Sequence, residues 1–328
     1  MSPRATATLF GHAEAEASLA RAFHSGRLAH AWLFCGPPGI GKATLAWRFA
    51  RWVLAGGPHA KPPLHVPPED VVFRRVAAGA HADVLELAPQ AEPGKRRIIK
   101  VEEVRAARHF LALTAAEGGW RVVLVDGAEA MEAASANTIL KTLEEPPPRT
   151  VLILVTDAPG RLLPTIRSRC RRLDLFPLEE GDMAACLASL LPETSEADRA
   201  ALMELAEGAP GRALELAEGQ GVELAKLARA VLESLPDAAG AHALADRIAG
   251  RDAALAFPAF FALLVRQLTQ SVREAARGGA MPGWLATRPL AAWAEAASAL
   301  TRQAQEAERL SLDRRQAVLV AMETLRGR

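Results

Sequence analysis

The stretch "AWLFCGPPGIGKATLAWRFARWVLA", residues 31–55, decides how the first half of the chain is read. "AWLFC" (31–35) is short and uniformly apolar, as suits a strand buried on both faces. "ATLAWRFARWVLA" (43–55) has the length and periodicity of the helix that this strand feeds. Between them, "GPPGIGKAT" (36–44) carries the spacing G-x-x-x-x-G-K of a phosphate-binding loop in Gly36, Gly41 and Lys42, with Gly39 as a further joint. A strand running into such a loop and a helix running out of it aim backbone N–H groups and the positive helix end at an anion. Lys42 would add its charge against the outer phosphates. An ordinary Gly-Pro turn is the alternative.

Working outward, the same alternation continues to about residue 176. "VLEL" (84–87), "RVVLVD" (121–126) and "TVLILVT" (150–156) read as further buried strands. "VEEVRAARHFLAL" and "ANTILKTLEE" read as helices, the second stopped by Pro146–Pro148. Apolar strands separated by helices predict an α/β domain with a parallel sheet covered on both faces, here residues 1–176. Five prolines in "GGPHAKPPLHVPP" (56–68) exclude a regular element there and predict a surface excursion. After Phe176-Pro177 only helical patterns remain. A small unit over 177–219 includes a helix opened by Ser195 with Asp198 three residues on, and an all-α region covers 220–328. Two helices in that last region carry apolar stripes, Phe261, Leu264, Val265, Leu268 and Val272 on one, Val318, Ala321, Met322 and Leu325 on the other. Packing inside the domain and a subunit interface both explain such stripes.

The loop departs from its pattern where catalysis begins. The residue after the lysine ordinarily supplies a hydroxyl to magnesium, and here it is Ala43. Thr44 stands one residue later, rotated by about 100° around the helix, and does not substitute. Asp126, ending "RVVLVD", fits an acidic magnesium position. The next residue, a glutamate that activates water in hydrolysing relatives, is Gly127, and Glu129 lies on a different heading. Losing a general base alone costs about 10²–10⁴ in rate. Hydrolysis is therefore expected to be negligible and binding of ATP or ADP weak.

Bulk properties narrow the function further. A chain of 328 residues, 50% hydrophobic and 23% charged, should fold as two or three domains. A net charge of +1 argues against coating DNA unaided, because affinity for the backbone needs many neutralised phosphates. No apolar run reaches the length of a signal peptide core or of a membrane span, so a cytoplasmic protein with no membrane partner is expected. Cys35, Cys170 and Cys186 form no C-x-x-C pair and read as buried thiols. His59, His65 and His81 match no metal spacing.

"LLPTIRSRCRRLDL" (162–175) packs Arg167, Arg169, Arg171 and Arg172 into six residues. A solvated turn or an exposed edge-strand face accounts for them. So does a guanidinium that reaches a phosphate on another molecule. Here the residues carry a family resemblance. "GPPGIGKAT", "AGAHADVLEL" (78–87) and "ILKTLEEPPPRTVLILVTDAPGRLLPTIRSRC" (139–170) together resemble the delta-prime subunits of bacterial DNA polymerase III clamp loaders, which are AAA+ proteins. The likeness is close over about 175 residues and beyond them rests on architecture and "LDRRQA" (312–317).

The resemblance implies an AAA+ phosphate-loop domain, a helical lid over 177–219 and a helical collar over 220–328. It implies a non-hydrolysing subunit of the DNA polymerase III holoenzyme that helps to place the sliding clamp on primer-template DNA, in the cytoplasmic replisome. Its partners would be the motor (gamma/tau) and delta subunits. Ser168, Arg169 and Cys170 match the motif whose arginine completes a neighbour's ATP site. Thr156 and Arg212 match the two sensor positions. The family's four-cysteine zinc module is missing, with no cysteine between 36 and 169, so no zinc is expected. Two other readings stand beside this one. The first is an ATP-hydrolysing motor subunit using Thr44, which Gly127 opposes. The second is a nucleic-acid-binding module using Lys95, Arg96, Arg97 and Lys100, which lacks stacking aromatics.

Overall fold

The computed structural model describes residues 2–59, 61–90, 97–117, 119–218, 221–249, 256–310 and 312–327. Lys95 and Arg96, and the expected boundary at 219/220, lie outside them. The chain forms two compact units, Met1–Thr194 with Ala206–Ala213, and Ser195–Leu205 with Leu214–Arg328. The span expected as a lid contributes to both.

The first unit is built on five parallel strands in the order β2-β3-β4-β1-β5. They are β1 (Ala31–Cys35), β2 (Val84–Leu87), β3 (Arg121–Asp126), β4 (Thr150–Thr156) and β5 (Arg171–Asp174). Four of them lie on the residues that the apolar runs predict. β5 is an edge strand, and its Arg171 and Arg172 are exposed, which hides it from a reading based on apolar runs. Successive side chains of the central strands point to opposite faces, as the pleat requires. Trp32, Phe34, Val122, Leu124, Val151 and Ile153 pack with α1 (Ala13–His24) and α2 (Lys42–Leu54). Ala31, Leu33, Val123, Val125, Leu152 and Leu154 pack with α4 (Val101–Ala112) and α5 (Ala133–Glu144). Because both faces are covered, the strands are apolar throughout, and the strand ends are left to carry the polar chemistry.

The proline-rich stretch is a correction to the expected surface excursion. It has no regular element, but Leu64 and Val66 are buried in the same core as α2. Trp52 Nε1 donates to the Pro58 carbonyl at 2.8 Å and Arg48 Nη2 to the Pro63 carbonyl at 3.3 Å. Prolines stop the backbone from pairing in a ladder and do nothing to stop an apolar side chain between them from being buried. The short α3 (Val71–Ala77) follows, capped by Asp70, whose carboxylate accepts the Val72 N–H at 2.7 Å.

Two buried arginines of α2 clip the N-terminal segment to the sheet. Arg51 donates to the carbonyls of Arg4 and Thr6 at 2.6 and 2.7 Å, and Arg48 to that of Ala7 at 2.5 Å. Arg48 is also paired with the buried Glu16. Burial lowers the Arg51 pKa to about 10, with Arg48 adding to the effect, so Arg51 is still a cation at neutral pH. These donors satisfy carbonyls that no strand or helix serves, which is what keeps an irregular segment buried at acceptable cost.

α6 (Pro164–Arg167) and α7 (Glu180–Leu190) complete the first unit, with parts of α8 (Glu196–Ala206) and α9 (Pro210–Glu218). In the second unit α12 (Ala256–Ala276) packs against α10 (Gly221–Glu233) and α13 (Leu290–Arg309), and α11 (Ala238–Ala249) against α14 (Arg314–Arg326). The stripe residues Phe261, Leu264, Leu268, Val318, Ala321, Met322 and Leu325 are buried within it. Pro258 sits in the first turn of α12, where its missing N–H costs nothing. Asp313 caps α14, accepting from Arg315 N at 2.8 Å and Gln316 N at 3.2 Å. Among the described residues, no helix is long and apolar enough to cross a membrane.

Candidate functional site

The loop from Gly36 to Gly41 leaves β1, which lies between β4 and β5, and enters α2 at Lys42. Gly36 is required by close approach: a Cβ there would lie 2.4 Å from the carbonyl oxygen of Leu175, the first residue after β5. The Gly39 carbonyl accepts the Gly211 N–H at 2.8 Å, which brings the start of α9, and with it the Arg212 backbone, against the loop. His12, at the start of α1, bonds the Ile40 carbonyl through Nε2 at 2.8 Å. Nothing in the local sequence marks His12 as part of this site, since it lies 28 residues before Ile40.

Parallel register brings the sequence-predicted residues together. Cys35 is opposite Thr156 on one side of β4, and Asp126 is opposite Val155 on its other side, so the ends of β4 and β3 lie in succession beside the loop. Thr156 is buried and its hydroxyl oxygen accepts the Ala158 N–H at 3.1 Å, which turns the chain after β4. Ala43 and Thr44 are both partly buried in the first turn of α2. Lys42, 4% exposed in its side chain, donates from Nζ to the Pro37 carbonyl and to Asp157 Oδ1, each at 2.5 Å.

Asp126 stands among carboxylates. Burial most of all, then the charges of Glu86 and Asp157, raise its pKa above the usual aspartate value, against the opposing pull of Lys42. Glu129 adds a smaller push in the same direction, and its Oε2 is buried with no hydrogen-bond partner. Glu86 is itself paired with Arg4. Gly127, in the left-handed region at φ 72°, places its Cα so that a Cβ would lie 3.0 Å from Pro89 Cγ.

The arginine run sits across β1 from the ends of β3 and β4. Arg169, just before β5, is about one-third exposed; its Nη2 pairs with Glu144 Oε1 at the end of α5 at 2.8 Å, and its Nη1 donates to the Thr165 carbonyl at 3.1 Å. Arg171 lies over the Trp32 ring at 5.0 Å, and Arg172 pairs with Asp174 at 2.8 Å. Thus the four arginines are not equivalent, and Arg169 is held by a carboxylate from a different element. Cys170 is buried behind it, and burial pushes its thiol pKa up to about 12. His59 stacks on His24 with centroids 3.9 Å apart, while His81 Nδ1 accepts the Asp83 N–H at 3.1 Å. Among the described residues no group of three or more His, Cys, Asp or Glu could hold a metal ion.

The five-stranded parallel sheet, with the loop 36–41 after β1 and polar residues on the ends of β3 and β4, is the α/β architecture expected of an AAA+ domain. The DNA polymerase III gamma subunit-related protein of Thermotoga maritima has the same fold, with a TM-score of 0.53 at 17% identity over 95% of this chain and 99% of that one. The chain belongs to the family described as DNA polymerase III, delta subunit, whose model matches residues 11–179. It is 39% identical over 222 residues to DNA polymerase III subunit delta' of Pseudomonas aeruginosa, covering 66% of this chain and 65% of that protein. It is 36% identical over 220 residues to the same subunit of Escherichia coli K12, covering 66% and 64%. The match thus spans just under two thirds of either relative's length.

Proposed function

We propose that this chain is the delta-prime-type subunit of a bacterial clamp loader. In this reading it hydrolyses no ATP itself and lends Arg169 to the ATP site of a neighbouring motor subunit. It would act with gamma/tau and delta subunits to place the sliding clamp on primer-template DNA, with residues 220–328 forming the collar of that assembly. The observation that carries the reading is the separation of two features on one sheet. The phosphate loop lacks a hydroxyl at Ala43 and an acid at Gly127, while a partly exposed guanidinium, that of Arg169, stands just before the edge strand β5. The likeness to delta' subunits supports it.

A phosphate group fits the loop residues, because Gly36 leaves room for the backbone to fold tightly and Lys42 supplies charge. Magnesium lacks the ligand that the loop should supply, because Ala43 offers no side-chain oxygen. The site therefore binds ATP or ADP weakly and has no means to activate water. On a neighbour's triphosphate the Arg169 fork could pair two oxygens at once, and a finger of this kind is worth about 10³–10⁵ in rate.

The test is the DNA-stimulated ATPase of the reconstituted assembly carrying Arg169→Ala. It should fall by at least about tenfold with assembly intact, and Arg169→Lys should not restore it, because an ammonium lacks the planar fork. Full activity in the Arg169→Ala assembly would overturn the assignment.

A further inference from the structure

The Lys42 ammonium already has an anion. Its side chain is 4% exposed, one donor is spent on the Pro37 carbonyl and another on Asp157 Oδ1. Asp157 is the first residue after β4, and its side chain is 44% exposed, so the carboxylate stands toward solvent while the lysine stands inside. A carboxylate and an outer phosphate make the same demand on a lysine, a charge-assisted hydrogen bond from Nζ. Two of the ammonium's three donors are already taken, so a phosphate must share the lysine's charge with Asp157 or displace that carboxylate. The carboxylates of Asp126, Glu86 and Glu129 nearby add to the negative field that an incoming triphosphate must cross.

We propose that Asp157 is an internal competitor for nucleotide phosphate, so that a triphosphate enters the loop only by displacing the carboxylate from Lys42. The loop is then stable empty because its lysine is neutralised from within, and the affinity for nucleotide is set by the Lys42–Asp157 pair as well as by the loop's shape. The binding-competent state is the minor one, and apparent affinity falls in proportion to its population. The inference rests on reading residues 36–44 as a phosphate loop and is independent of the role given to Arg169.

The experiment measures binding of ATP and of ADP to the full chain by titration calorimetry, with and without magnesium. It compares the parent with Asp157→Asn, Asp157→Ala, Lys42→Ala and the double variant Lys42→Ala/Asp157→Asn. Both Asp157 variants should bind ATP about tenfold tighter or better, the gain expected from freeing one charge-assisted hydrogen bond. The gain should vanish in the double variant and should not depend on magnesium. Circular dichroism and melting temperature establish that each variant is folded. Unchanged or undetectable binding by both folded Asp157 variants, or a gain that survives removal of Lys42, would overturn the proposal. Neither result bears on the Arg169→Ala assay, which reads a different site.

Discussion

Gly127 shows how much one position can decide. It follows Asp126, where hydrolysing relatives were expected to carry a glutamate, and it adopts φ 72° with Pro89 Cγ 3.0 Å from the position of a Cβ. The backbone here has been shaped around the missing side chain, so restoring the acid does not restore its geometry. Gly127→Glu is expected to lower stability by about 1–2 kcal/mol, the cost of an L side chain in the left-handed region, and to leave ATP hydrolysis by the purified chain at background. Thermal melting and a phosphate-release assay check both halves. At this scale the sequence was informative wherever chemistry follows from residue type: Ala43 and Gly127 are absences that need no structure. Asp157, His12 and Glu144 were not legible, because each acts on a residue from another element. Only the strand order brings Asp157 to Lys42 and Glu144 to Arg169. Asp157 did have a signal, its position directly after Thr156 at the end of a central strand.

At the scale of elements, the strands with apolar faces were legible from runs of four to seven residues, and β5 was not, because an edge strand with Arg171 and Arg172 exposed has no such run. The proline-rich segment failed for a different reason. Proline content reports on backbone pairing, whereas burial depends on single side chains, and Leu64 is fully buried beneath an irregular backbone. Leu64→Ala is accordingly expected to destabilise the chain by about 2–5 kcal/mol, the usual cost of a large-to-small change in a core. Lys61→Ala, at an exposed position three residues away, should change stability by less than about 0.5 kcal/mol. Urea unfolding of the two variants distinguishes a segment built into the core from one lying over it. Indole and guanidinium donors from Trp52 and Arg48 hold this segment's carbonyls.

Across the whole molecule, the three cysteines are buried thiols. Burial pushes the pKa of Cys170 up to about 12 and that of Cys186 up to about 11, from an ordinary 9.0, and also raises Cys35. A folded thiol that keeps its proton when the unfolded one has lost it stabilises the fold fully below the ordinary thiol value. That contribution is lost as pH climbs from about 9 toward the folded values. Maleimide labelling at pH 8, read by mass, should therefore find no fast-reacting site in the folded chain and three after denaturation, and the melting temperature should decline above pH 9. Rapid labelling of the native protein would mean that these thiols are not where the core places them.

The proposed division of labour joins these scales: a phosphate loop without the groups for hydrolysis, set in the same rigid sheet as an arginine available to a neighbour. Its most direct test is steady-state ATP turnover by the purified chain alone with magnesium present. Background turnover, unchanged by Lys42→Ala, is the predicted result; brisk turnover that Lys42→Ala abolishes would contradict the account.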